Sequence, residues 1–203
     1  MADNYEPERG VDVGARVARL RKSLAATDAT AIRSVLEIGA GTGSNLMALA
    51  ELFPAAMLMA VEPNAYGRQR IASKLPACVV SDALVEALPL ESACADLVLT
   101  CGCLCHVSRD TVPLAVRELG RVAGRYVLMM EYFYKRQIIE PLGGADESLV
   151  SQDWGAVFWK EHPAASCIGD GWFWSQRDGL TSLNWWLFDM RGGHGAFVER
   201  VNR

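Results

Sequence analysis

Residues 35–45, Val-Leu-Glu-Ile-Gly-Ala-Gly-Thr-Gly-Ser-Asn, constrain the fold of this 203-residue chain more tightly than any other stretch. A short apolar run that ends in three alternating glycines, Gly39, Gly41 and Gly43, describes a buried strand turning sharply into a helix. Glycine reaches positive φ at no steric cost and lets a ligand approach where a Cβ would collide. The helix is expected to start at Ser44 or Asn45, with its unpaired N–H groups facing whatever lies over the loop. That arrangement is a nucleotide-cofactor site at the carboxyl edge of a parallel sheet.

The dinucleotide fingerprint places glycines at its first, third and sixth positions. Here the third position from Gly39 is Gly41, but the sixth is Ser44 and the last glycine falls at the fifth, Gly43. Glu37, two residues before the first glycine, would repel a pyrophosphate and suits a cofactor that carries an ammonium group. Together these residues resemble motif I of the class I S-adenosylmethionine (SAM) methyltransferases, acidic-x-Gly-x-Gly-x-Gly. The resemblance implies that Glu37, Gly39, Ala40, Gly41, Gly43 and Asn45 bind SAM and release S-adenosylhomocysteine.

Further strands follow at the spacing such a sheet requires. Residues 55–61 read as a second strand, ending in Glu62 and Pro63. A carboxylate about twenty residues beyond a glycine loop can accept hydrogen bonds from both ribose hydroxyls. SAM and NAD both carry such a ribose, and a helix N-terminal acid is the structural alternative. Residues 77–80 form a third strand before Asp82 and Ala83. In the methyltransferases the matching acid accepts from the adenine amino group and the next backbone N–H meets a ring nitrogen, whereas a turn residue or helix cap would explain Asp82 structurally.

A fourth strand, 96–100, runs into Cys101-Gly-Cys-Leu-Cys-His106. Alternating cysteines on an extended segment would point all three thiols to one side. That spacing does not match the paired Cys-x₂₋₄-Cys of zinc sites, and no metal is expected. The resemblance places Cys101 and Gly102 against the methionine part of SAM, and His106 on the acceptor side. Residues 110–123 read as an amphipathic helix capped by Asp110. A fifth strand, 126–130, closes on Glu131 and Tyr132, so that His106, Glu131 and Tyr132 would converge on the transferred methyl. His106 is the first choice of base because its ordinary pKa lies near neutrality; a packed loop histidine is the alternative.

Residues 97–106 and 125–132 narrow the resemblance to the pseudaminic acid biosynthesis-associated methylases. Weaker similarity runs through 143–146 and 152–155, the aromatic segment 171–178 and residues 183–187. The chain departs from that family at Pro141-Leu-Gly-Gly144, where a Tyr-Arg-Gly stretch is usual, and at Cys101 and Gln152, where basic residues are usual. Fewer basic groups near the acceptor argue against an anionic sugar acid. The resemblance implies an α/β, Rossmann-like fold: a mostly parallel seven-stranded sheet, helices on both faces and a C-terminal antiparallel pair (171–177 with 183–190, turning at Asp178-Gly179). The function implied is O- or N-methylation of a small polar acceptor, an amino-sugar or sugar-nucleotide first and a secondary-metabolite intermediate second. A SAM-binding partner subunit without catalysis and an NAD-linked oxidoreductase are the alternatives.

Length and composition fit one domain over 1–203, with residues 1–30 as a helical cover and 140–203 as acceptor-side and C-terminal strand region. In the cover, Arg16 to Lys22 alternate with Val17, Leu20 and Leu24 at helical spacing, and read as the solvated face of a helix over 11–26. A net charge of −4 removes the electrostatic attraction that nucleic-acid binding needs. Half the residues are apolar (51%), yet no run approaches a membrane span, and the polar start lacks a signal-peptide core. Six cysteines without framework spacing suggest a reduced, cytoplasmic setting. All six tryptophans lie beyond residue 153, where they serve as core, as a wall for the acceptor or as the contact of a homodimer.

Overall fold

The computed structural model describes residues 12–135, 138–141 and 148–192. The start of the chain and residues 143–146, both used above, lie outside these. Strands β1 (Ser34–Ile38), β2 (Met57–Val61), β3 (Val79–Ser81), β4 (Ala95–Cys101) and β5 (Ala123–Glu131) run parallel, and β8 (Ser166–Phe173) and β9 (Leu183–Asp189) complete the sheet. The order is β3-β2-β1-β4-β5-β9-β8, with β9 antiparallel to both neighbours. The expected seven-stranded sheet with its C-terminal antiparallel pair is therefore present. A separate two-stranded ribbon joins β6 (Ile138–Pro141) to β7 (Ser148–Ser151). No helix among the described residues is long and apolar enough to cross a membrane.

Alternation along the strands divides the core into two layers, as successive side chains on a strand face opposite ways. Leu36 and Ile38 of β1 pack with α4 (Val112–Val122) and α5 (Trp154–Glu161). Val35, on the other face, packs with α1 (Val13–Ser23), α2 (Ser44–Leu52) and Ile71 of α3 (Ala65–Lys74). Adjacent Trp185 and Trp186 fall on opposite faces as expected. Trp185 joins the α1 layer, whereas Trp186 lies against Gly155 of α5, where any Cβ would strike the indole. Trp154 is fully buried in the α5 layer. Trp172 and Trp174 are half exposed and stacked, ring centroids 6.3 Å apart.

Several boundaries move for local reasons. β2 starts at Met57 because the Ala56 N–H turns back to the Phe53 carbonyl, and β3 starts at Val79 because the Cys78 N–H goes to Leu75. Helix α4 starts after Thr111, not at Asp110, since the Ser108 carbonyl accepts from both Thr111 and Val112 and makes a turn there. Residues Ser175–Asp178 form one helical turn (α6) instead of prolonging β8, closed by Gly179 at φ +72°. Cys101, Cys103 and Cys105 do not share an extended face. Gly102 turns at φ +59° and Leu104–His106 coil into a 3-10 turn, so the Cys103 side chain tucks beneath Gly39 while the Cys105 thiol points back to the Gly102 carbonyl.

Candidate active site

The carboxyl ends of β1 and β4, between which the strand order reverses, open into a cavity of about 300 Å³. In open α/β sheets this reversal is where ligands bind. Gly39, Ala40, Gly41, Thr42, Ser44 and Asn45 form one wall, with Glu37 at the base, and Cys101, Gly102 and Tyr132 face them. All three loop glycines have positive φ (+70°, +56° and +81°), which explains their spacing. Gly43 caps α2, so the first N–H groups of that helix stand beside the cavity.

Glu37 is buried, 1% exposed. Its Oε1 accepts from Asn45 Nδ2 at 2.8 Å, while Oε2 has no hydrogen-bond partner among the described residues. Burial pushes its pKa up to about 8, aided by the Glu62 charge and opposed by Asn45 and Arg16. An orphaned, buried acceptor at the base of a glycine-walled cavity fits the ammonium of an amino-acid ligand.

Glu62 lies under the loop and does not line the cavity. Its two oxygens accept from the Gly41 N–H (2.7 Å) and the Asn64 N–H (2.9 Å), so the carboxylate shapes the loop itself. Pro63 is exposed at the start of α3. Asp82 also stands away from the cavity, exposed and ion-paired to Arg68 at 2.9 Å. The guanidinium of Arg68 in turn donates to the Glu62 and Pro63 carbonyls. Ala83 packs on the core beside it.

The expected convergence of His106, Glu131 and Tyr132 is not found. Only Tyr132 reaches the cavity wall. His106 is on the exposed side of the 3-10 turn. Glu131 is fully buried below that turn, Oε1 accepting from the Cys103 N–H at 3.2 Å. Burial raises its pKa to about 7 against the lowering influence of the Thr100 hydroxyl and of the Cys103, Leu104 and Cys105 N–H groups. The reason is parity along β5: Glu131 is the last strand residue and points into the sheet layer, so its neighbour Tyr132 faces the cavity.

The state of Glu131 has a measurable consequence. Between its ordinary value near 4.5 and about 7, the folded protein holds this proton and the unfolded chain does not, so stability falls as pH rises through that window. The slope is of the order of 1 kcal/mol per pH unit. Glu131→Gln should reduce the slope between pH 5 and 7 in urea titrations, leaving the part owed to Glu37. An unchanged slope would show that Glu131 is ionised in the fold.

Sequence reasoning missed two arginines. Arg16 and Arg19, read as solvated, line the cavity from α1, and Arg19 is only 7% exposed. Positions 16, 19 and 23 share a helix face adjoining the apolar stripe of Val17, Leu20 and Leu24, and that i, i+3, i+7 spacing was the available signal. Leu180, Thr181 and Leu183 complete the rim; nothing local in the sequence marks them. The three loop cysteines carry thiols whose pKa burial raises, Cys101 to about 12. They are neutral packing groups, and no metal-binding cluster occurs among the described residues.

Residues 35–124 match the family model of a methyltransferase domain. The match covers less than half of the chain. It spans the glycine loop, Glu62, Asp82 and the β4 turn. No curated protein sequence matches the chain. Among solved structures, the 1,6-didemethyltoxoflavin N1-methyltransferase of Burkholderia thailandensis, solved with S-adenosylhomocysteine, has a TM-score of 0.68 at 15% identity, covering 88% of this chain and 79% of that one. The sugar N-methyltransferase KedS8 of Streptoalloteichus has a TM-score of 0.63 at 17% identity, over 90% and 89%. CalS10, an amino pentose methyltransferase of Micromonospora echinaspora, has a TM-score of 0.62 at 12% identity, over 88% and 90%. At these identities the likeness is one of fold.

Proposed function

We propose that this chain transfers a methyl group from SAM to an oxygen or nitrogen of a small polar acceptor, an amino-sugar or sugar nucleotide in the first place. The observation that carries the cofactor part is the orphaned Glu37 Oε2 at the base of the glycine-walled cavity. The sugar N-methyltransferase and amino pentose methyltransferase named above support the acceptor class, as do the exposed aromatic residues after β5 (Tyr132, Phe133, Tyr134), of which Tyr132 lines the cavity.

Glu37 would hold the cofactor's ammonium, with Asn45 fixing the carboxylate's orientation. Gly39, Ala40, Gly41 and Gly43 would let its backbone-facing side approach, and the nucleoside end would extend past the described cavity toward Glu62, Pro63, Asp82 and Ala83, with Glu62 also acting through the loop it shapes. Cys101 and Gly102 would border the methionine chain. The cofactor supplies an electrophilic methyl on a sulfonium, so the protein's task is alignment, exclusion of water and removal of the acceptor's proton. Tyr132, which lines the cavity, would orient an acceptor. His106 remains the candidate base, reaching the cavity only by a movement of the 3-10 turn, and Glu131 is a positioning residue that holds this turn by the Cys103 N–H.

The test is methyl transfer from labelled SAM to a panel of amino sugars and sugar nucleotides, with S-adenosylhomocysteine binding measured in parallel. Wild type should transfer and bind. His106→Ala should keep the binding and lose about 10²–10⁴-fold in kcat, the usual worth of a general base. An undiminished kcat removes His106 from the mechanism. Binding with no transfer to any of the panel would favour a partner subunit without catalysis.

A further inference from the structure

Strand β8 ends the sheet, and its alternate residues face different surroundings. Gly169, Gly171 and Phe173 face the α1 layer. A Cβ on Gly169 would stand 3.1 Å from the Trp185 indole and one on Gly171 2.7 Å from it, and Phe173 stacks on the same indole with ring centroids 6.2 Å apart. Asp170 and Trp172 therefore face the other way, and Trp174, whose backbone is still extended, follows them. All three are exposed, the tryptophans by 53% and 50%.

The strand beneath them is backed by buried rings, so the two indoles stand on a rigid base. Their planes lie within 20° of each other, with centroids 6.3 Å apart. On β9, Asn184 pairs with Trp172, and cross-strand partners share a face. The surface is thus two nearly parallel indoles with a carboxylate at one end and a half-buried carboxamide alongside.

The polar groups decide what such a surface fits. A carboxylate next to indole faces selects a cation, since the acid and the ring quadrupole attract it together. Asn184 offers both a donor and an acceptor; an ammonium can use only the acceptor, whereas hydroxyls use both. Two indoles also present more apolar surface than one ammonium covers, which suits the C–H face of a saturated ring. These demands together describe an amino sugar. A second copy of the chain matches less well, because an isologous contact here would bring two Asp170 carboxylates into one small patch, and like charges across a contact weaken it.

We infer that the outer face of β8 is a second ligand site, a platform for a cationic sugar ring: the ring lies on Trp172 and Trp174, its ammonium meets Asp170 and a hydroxyl meets Asn184. The platform adjoins the cavity without sharing its residues, since Leu183 lines the cavity and Asn184, next in β9, faces the opposite way. It goes beyond the methyl-transfer reading and uses none of the residues assigned to the cofactor.

NMR of the indole N–H groups decides this. The Trp172 and Trp174 signals are identified by their loss in Trp172→Phe and Trp174→Phe, then followed as methyl glucosaminide, methyl glucoside and ethanolamine are each titrated into the full chain. The glucosaminide should shift both signals and saturate at millimolar concentration. The glucoside, which lacks the charge, and ethanolamine, which lacks the ring, should each bind about three- to tenfold more weakly. Asp170→Asn should cost the glucosaminide the same factor, the range of an exposed cation–π contact joined to a surface ion pair, and leave the glucoside unchanged. Binding of the glucoside or of ethanolamine as strong as that of the glucosaminide overturns the inference, as does a glucosaminide response that spares these two indoles. A dimer in sedimentation that Trp172→Ala dissolves would make the face a contact between copies and overturn it as well. Calorimetry with S-adenosylhomocysteine on the same samples separates the two readings: glucosaminide bound without S-adenosylhomocysteine removes the proposed function and leaves the platform, and the reverse removes the platform alone.

Discussion

Glu62→Ala should abolish S-adenosylhomocysteine binding at micromolar concentrations while leaving a folded protein. The carboxylate is 4% exposed and both its oxygens hold backbone N–H groups, Gly41 in the loop and Asn64 at the cap of α3. Hydrogen bonds to a charged group contribute about 1.5–3 kcal/mol each. Losing both releases Gly41 and Asn64, while Gly39 and Ala40 stay tied to the Val61 carbonyl, and leaves two amides to find water. If Glu62 also meets the ribose, the ligand loses those bonds too, and a fall of about 10²–10⁴ in affinity follows. The strands remain paired, so the thermal transition should stay cooperative. Retained binding in this variant would mean that the loop's conformation is set by its glycines alone.

Gly67→Ala should reverse the usual sign of a helix substitution. Replacing glycine inside a helix by alanine ordinarily stabilises by about 1 kcal/mol. At Gly67 a Cβ would stand 2.6 Å from the Gly41 carbonyl oxygen and 2.8 Å from Glu62 Cγ, and the first of these is backbone that cannot swing aside. Either α3 retreats from the sheet or the loop shifts into the cavity. The expected result is a loss of 1–3 kcal/mol, the usual cost of overpacking, together with at least tenfold weaker S-adenosylhomocysteine binding. Denaturant titration and calorimetry on the same sample check both. A stabilised variant with full affinity would show that α3 and the loop are not in register as described.

The parts of this fold that were legible in the sequence are those where one residue type answers one local demand. Positive φ at Gly39, Gly41 and Gly43 could be foreseen because few side chains tolerate it. The parallel strands themselves followed from short apolar runs ending in polar residues, and the opposite faces of Trp185 and Trp186 from the period of a strand. What could not be read depends on tertiary placement. Arg16 and Arg19 have the chemistry of surface residues, and only the docking of α1 beside Asn45 and Phe173 turns them inward. Glu131 has the chemistry of a base, and one step of strand parity buries it under a turn. Gly67 carries no local signal, because its need for hydrogen in place of a methyl comes from a carbonyl twenty-six residues earlier. Asp82 and Glu62 were placed at the correct strand ends, but what their carboxylates touch depends on Arg68 and on the loop amides.

Helix α1 packs on β8 and β9, where Arg19 and Lys22 lie over Phe173, with Lys22 Nζ 5.5 Å from the ring centre. Helix α1 thus packs chiefly on α2, its near neighbour in the chain, and also on strands made much later. At ribosomal rates of about 5–20 residues per second, β9 follows α1 by on the order of ten seconds or more. Through that interval Val17, Leu20 and Leu24 have only α2 and the early strands to lie against, and the cavity has no roof. The candidate site is therefore complete only once α1 meets strands made long after it, since Leu180, Thr181 and Leu183 line the same cavity as Arg16 and Arg19.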